Sequence, residues 1–144
     1  MIIMLVYLKK PIMIKNSILK NIKLVKLKRI KNSNGDLLRV LRKSEKEYSQ
    51  FGEAYFTFIK KNKTKGWKKH YKMKSNLVVP IGKVRFVFFD EKSSSFREEI
   101  IGESNYCRLT IPPKVWFAFQ GVYKSDSLIL NMSNMIHDDK EEIK

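Results

Sequence analysis

Beyond Gly66 the chain is a succession of short apolar segments cut at regular intervals by turn-forming residues, and that rhythm constrains its folding more than any other feature. The segments Asn76–Val79, Val84–Asp90, Tyr106–Ile111, Trp116–Phe119 and Ser127–Met132 are rich in β-branched and aromatic residues, which favour a pleated, half-buried backbone. Pro80-Ile-Gly82, Lys92 with the three serines after it, Pro112-Pro113 and Gly121 separate them. Short strands at such spacing predict an all-β barrel or sandwich.

Upstream the pattern continues less regularly. Ile18 to Ile30 scores as helix or as strand, and its tail, Ile22 to Lys28, alternates as a strand does. Asn32-Ser-Asn-Gly35-Asp36 is a strong turn signal, so Asp36–Leu41 is expected to return as the second arm of a hairpin. Ala54–Lys60 reads as a strand, 62–66 as a loop, and Ser44–Gln50, with the extreme C-terminus, as helical. The apolar start MIIMLVYLKK reads as a strand; it has no basic n-region and is far short of the roughly 20 residues that span a bilayer. A length of 144 residues suits one domain with one core, divided here into an N-terminal extension (1–30) and a barrel (31–144).

Charge narrows the partners. Residues 1–76 hold 21 Lys/Arg against 4 Asp/Glu, a balance of +17, and residues 77–144 hold 9 against 10, a balance of −1. Such asymmetry fits an anionic partner, or lysines that serve as a solvated face. The single cysteine, Cys107, forms no internal disulfide and suits the cytoplasm.

Of two histidines, His70 lies where a basic segment runs into the apolar Leu77-Val-Val run, and His137 lies among charges near the C-terminus. Imidazole is the side chain best placed to move protons near neutral pH, so His70 is the first candidate for chemistry. If 69–76 is extended, His70, Lys72, Lys74 and Asn76 share one face, a titratable ring among cations that attract an anionic ligand. No metal is expected, because the three clustered ligands such a site needs are missing around His70 and around Trp116-Phe117. Cofactors are expected to be none.

The order Gly66-x-x-x-His70, Leu77-Val-Val, Pro80-x-Gly82, Val84–Asp90, a serine-rich turn, then Asn105-Tyr-x-Arg-Leu-Thr-Ile-Pro-Pro-x-Val-Trp-Phe-x-Phe resembles the cupin family of dTDP-4-dehydrorhamnose 3,5-epimerases, in a shorter branch, over Asn34 to Glu142. The resemblance implies a single-domain cupin barrel or jelly roll. It also implies a homodimer with exchanged N-terminal strands and a nucleoside-diphosphate 4-keto-6-deoxy sugar as substrate, in surface-polysaccharide biosynthesis. In that family a histidine removes the proton α to the keto group and a tyrosine reprotonates from the other side. His70 then matches the base. The enolate-stabilising lysine falls on Asn76, passing that role to Lys72 or Lys74, and the acid tyrosine falls on Asn131, which leaves Tyr71, Tyr106 and Tyr123 as candidate acids. Arg39, in Gly35-Asp-Leu-Leu-Arg-Val, resembles the nucleotide-contacting segment, and Trp67 and Trp116 are candidate substrate contacts. The aspartate that orients the family's histidine has only Asp138 or Asp139 as a counterpart. Without a matched tyrosine the chemistry implied shifts toward 3,4-ketoisomerisation or single-centre epimerisation, because one group alone returns the proton it took. Two rivals stand beside this reading: a non-catalytic basic barrel binding nucleic acid or polyanionic glycan, with Phe56, Phe58, Trp67 and Tyr71 as stacking partners, and a sugar-nucleotide binder that has lost turnover.

Overall fold

The structure, a computed structural model, describes residues 16–144. The expected strand at the start of the chain, and most of the expected strand exchange, lie outside these residues. Twelve strands follow in order: β1 (Lys23–Lys26), β2 (Arg29–Ile30), β3 (Leu37–Leu38), β4 (Glu53–Ile59), β5 (Thr64–His70), β6 (Ser75–Ile81), β7 (Lys83–Asp90), β8 (Ser95–Gly102), β9 (Cys107–Ile111), β10 (Trp116–Gly121), β11 (Ser127–Ser133) and β12 (Glu142–Ile143). One sheet runs β1-β9-β6-β11-β4 and the other β12-β5-β10-β7-β8, all neighbours antiparallel; β2 and β3 form a separate hairpin. This is the all-β architecture that the strand rhythm predicts, in the jelly-roll form that the family resemblance implies.

Strand alternation builds the core between the sheets. Val84, Phe86 and Phe88 project inward from β7, meeting Phe117 and Phe119 of β10 on the same sheet and Leu77, Val79, Leu109, Ile111 and Ile129 from the opposite one. A fully buried Phe or Leu stabilises a fold by about 1.5–3 kcal/mol, so this layer dominates cohesion. Ahead of β1, a single 3-10 turn at Ile18–Asn21, capped by the Ser17 hydroxyl, delivers Leu19 and Ile22 to the same core. The core therefore draws on residues before the expected division at 30.

The differences from expectation have local causes. The Asn32–Asp36 turn forms, with the Gly35 N–H donating to the Asn32 carbonyl at 3.1 Å, but the returning arm pairs only at Leu37–Leu38. Ser44–Gln50 forms turns rather than a helix, because Glu45 and Glu47 are drawn to the fully buried Arg108 of β9. Strand β8 carries Arg97, Glu98 and Glu99, which hid its strand character; as an edge strand it tolerates charge. Strand β5 begins at Thr64, inside the stretch read as a loop, and it positions the site.

Candidate active site

Strand β5 opposes β10 with a register shift: Lys68 lies across from Phe117, and Lys65 across from Phe119. Both phenylalanines face inward, so the extra residue accommodated between the pairs puts two lysines three apart on the same inner face. Gly66 makes this possible. Its φ is +118°, and a Cβ there would stand 2.7 Å from the Ala118 Cα and 2.9 Å from the Phe117 carbonyl oxygen.

These residues border a cavity of about 240 Å³ between the sheets. One wall, from the first sheet, is mostly polar and neutral: Tyr55 and Thr57 of β4, Ser75 and Leu77 of β6, Ile129 and Asn131 of β11. The facing wall combines Lys65 and Lys68 with Phe86, Phe117 and Phe119. Ligand pockets usually run from about 300 to 1,000 Å³, so this one suits a group the size of a sugar ring rather than a whole nucleotide.

Tyr55 and Asn131 are register partners on adjacent strands. The Asn131 Nδ2 donates to the Tyr55 hydroxyl oxygen at 2.7 Å, which leaves the phenolic hydrogen free to donate, and the buried Asn131 Oδ1 has no partner. Burial raises the Tyr55 pKa, with Glu53 and Glu142 adding to the shift and Asn131 opposing it, so the phenol stays protonated. Lys65 is tied to the Phe58 carbonyl at 2.8 Å. The Lys68 ammonium stands 5.4 Å from the centre of the Phe117 ring and 3.9 Å from Glu142 Oε2. Burial lowers its pKa, against the attraction of Glu142 and with the help of Lys144 and Lys65.

His70, the expected base, is buried at the end of β5 and does not line the cavity. Strand β12 pairs Glu142 with His70, and carboxylates face both ring nitrogens: Nδ1 lies 2.9 Å from Glu141 Oε2 and Nε2 3.7 Å from Glu142 Oε2. Glu141 also accepts from the Lys72 and Met73 N–H groups. Burial works against its ionisation, but those two donors and His70 outweigh it and hold the carboxyl below its ordinary range. The histidine-orienting carboxylate is thus Glu141, and the two expected substitutes do other work: Asp138 caps the Asp139–Glu141 turn and Asp139 bonds His137 at 2.9 Å.

The remaining expected site residues separate. Asn131 lines the cavity, as a partner to tyrosine rather than in its place. Lys72 and Lys74 sit in the 71–74 turn that breaks the extended geometry assumed for 69–76, Lys72 exposed and Lys74 half-buried outside the cavity lining. Asn76 lies between the inward Ser75 and Leu77, so it points outward and accepts from the Thr110 hydroxyl at 2.6 Å. Tyr106 precedes the inward Cys107 and turns to the outer face, where its hydroxyl donates to the Arg39 carbonyl; this places both residues away from the cavity. Trp67 and Trp116 lie next to inward residues and outside the cavity lining; the Trp116 indole N–H donates to Glu91 at 2.7 Å, and Lys69 stacks over its ring at 4.8 Å. Tyr71 is exposed, and Tyr123 lies beneath the Lys124 ammonium. Among the described residues, no three His, Cys, Asp or Glu side chains gather in the geometry of a metal site, and no helix is long and apolar enough to cross a membrane.

Sequence reasoning missed Tyr55, Lys65, Lys68, Glu141 and Glu142. A glycine inside a strand was the readable signal for the bulge. The Tyr55–Asn131 pairing depends on long-range register, which the sequence does not display.

The family model described as "FdtA: WxcM-like, C-terminal" matches residues 20–144. The chain belongs to this family. Solved structures of a dTDP sugar isomerase and of the epimerase RmlC share this barrel fold. A dTDP sugar isomerase from Desulfovibrio desulfuricans is 29% identical, with 87% of this chain and 83% of that one covered and a TM-score of 0.83. The sugar 3,4-ketoisomerase QdtA from Thermoanaerobacterium thermosaccharolyticum, solved with TDP, is 20% identical over 87% of this chain and 88% of that one, at a TM-score of 0.74. The 3,5-epimerase RmlC from Legionella pneumophila, in complex with dTDP-4-keto-L-rhamnose, is 15% identical over 85% and 71%, at 0.75. Among curated protein sequences, none matches this chain.

Proposed function

We propose that the protein is a cytoplasmic sugar-nucleotide isomerase that interconverts the 4-keto and 3-keto forms of a nucleoside-diphosphate 6-deoxy sugar. The observation that carries this reading is the pair of proton-transfer groups on facing walls of a sugar-sized cavity: the protonated Tyr55 phenol on β4 and the Lys68 amine on β5. Moving a carbonyl to the neighbouring carbon requires a proton to leave one carbon, another to reach its neighbour, and the intervening oxygens to exchange theirs; a base and an acid suffice. The similarity to the dTDP sugar isomerase adds the substrate class. The nucleotide then lies outside the cavity, toward surface cations.

A homodimer belongs to the same reading. Among the described residues strand β4 is a sheet edge whose outer face exposes Phe56 (62%) and Phe58 (67%), an apolar stripe that a second copy would cover.

The test is incubation with dTDP-linked 4-keto-6-deoxyglucose, followed by NMR. The expected product is the 3-keto isomer. Inversion at C3 or C5 without carbonyl migration would make the protein an epimerase instead. Binding of nucleic acid or polyanionic glycan, with no change in any keto-sugar, would remove the enzymatic reading.

A further inference from the structure

We propose that Lys68, rather than His70, is the group that takes and returns the sugar's carbon-bound proton, and that His70 and Glu142 are positioning residues behind it. This rests on the isomerase reading above and names its base. Lys68 borders the cavity, whereas His70 does not. The His70 Nδ1 is held by Glu141 at 2.9 Å, and its Nε2 points to the Glu142 carboxylate at 3.7 Å rather than into the cavity lining. Glu142 Oε2 stands 3.7 Å from the His70 Nε2 and 3.9 Å from the Lys68 Nζ, and links the two. The array runs Glu141, His70, Glu142, Lys68 from the C-terminal strand to the cavity wall. Glu141 fixes the imidazole, the imidazole and the Ile143–Lys69 pairing fix β12, and Glu142 aims the amine at the cavity.

Each proton has a place to go. The neutral Lys68 amine bonds to the hydrogen on C3, and the C3–H electron pair becomes the C3–C4 double bond. The carbonyl π pair moves onto O4, which takes the Tyr55 proton. In the return half the Tyr55 phenolate takes the proton from the C3 hydroxyl and C3 becomes the carbonyl. The double-bond pair then takes the proton from the Lys68 ammonium at C4. Amine and phenol end as they began, and no oxidant or co-reactant is consumed. Burial disfavours the charged form of Lys68 and lowers its pKa, aided by Lys144 and Lys65 and opposed by Glu142, while Tyr55 faces it from β4 and His70 from its own strand.

The experiment measures deuterium incorporation at C3 and C4 of the dTDP-linked keto-sugar in heavy water, by NMR, for wild type, Lys68→Met, Lys68→Ala and His70→Gln. Lys68→Met keeps the stem's packing against Phe117, so melting temperature and dTDP affinity should stay near wild type while exchange falls by about 10²–10⁴-fold. Added ethylamine should restore exchange to Lys68→Ala in proportion to its uncharged fraction. His70→Gln should slow exchange by about tenfold and displace the ascending limb of the pH profile, the signature of a residue acting through the lysine. Full exchange by Lys68→Met, loss of exchange in His70→Gln with rescue by imidazole, or a borohydride-trapped sugar adduct on Lys68 would each overturn the proposal while leaving an isomerase. A wild-type protein inert toward every keto-sugar would instead sink the isomerase reading, and the role of Lys68 with it.

Discussion

At the residue scale, the site works by what burial does to two side chains of opposite type. Burial raises the Tyr55 pKa and keeps the phenol protonated, and it lowers the Lys68 pKa, so one apolar-floored cavity makes the acid harder to ionise and the amine easier to deprotonate. Tyr55→Phe removes only the oxygen. It should lower kcat by about 10²-fold or more with a small change in KM, and cost about 1 kcal/mol of stability because Asn131 Nδ2 loses its acceptor. Steady-state kinetics and urea denaturation check the two parts. Glu141 makes a separate prediction. Its carboxyl titrates lower in the fold than in the unfolded chain, so it adds stability above its unfolded pKa that is lost as the pH falls through its folded one. Glu141→Gln should therefore be destabilised by about 1–3 kcal/mol at neutral pH, and the gap from wild type should close in acid. Equal gaps at both ends of a denaturation series would show that the charge plays no part.

At the element scale, the bulge in β5 decides which side chains see the substrate. Gly66→Ala meets both a strained φ of +118° and the β10 backbone at 2.7–2.9 Å, so β5 must shift away from β10 and carry Lys68 with it. The variant should lose about 1–3 kcal/mol and most of its turnover. Gly35→Ala is the control: its φ is +133°, yet nothing lies within 4 Å of the added methyl, so denaturation should show the strain and kinetics should show nothing. The same element shows what the sequence could tell. Strands with continuous apolar or alternating patterns, such as Val84–Asp90 and Ser127–Met132, were legible because their burial follows from their own residues. The chemistry of 64–76 was not, since period-two alternation places His70 with Lys72, Lys74 and Asn76, whereas a bulge before His70 and a turn after it regroup His70 with Lys68 and Lys65. Histidine drew attention by its intrinsic pKa; lysine acquires a comparable role only from burial, which no local pattern encodes.

At the scale of the whole molecule, the two halves of the chain divide the work. Residues 1–76 carry +17 and supply both cavity lysines, while residues 77–144 carry −1 and supply most of the aromatic floor and the two carboxylates that brace β5. A cavity of about 240 Å³ leaves the diphosphate of a sugar nucleotide outside, against lysines that are mostly solvated. Charges in those two settings respond differently to salt. The screening length falls from about 30 Å at 0.01 M to about 3 Å at 1 M, which removes long-range attraction of the diphosphate yet barely reaches the Lys68–Glu142–His70 array, whose members are largely buried. KM for the nucleotide sugar should therefore rise steadily with salt while kcat holds nearly constant. A kcat that falls in parallel with rising KM would mean that the groups doing the chemistry are as exposed as those that capture the substrate, and the buried Lys68–Glu142–His70 array would not be the one that turns over.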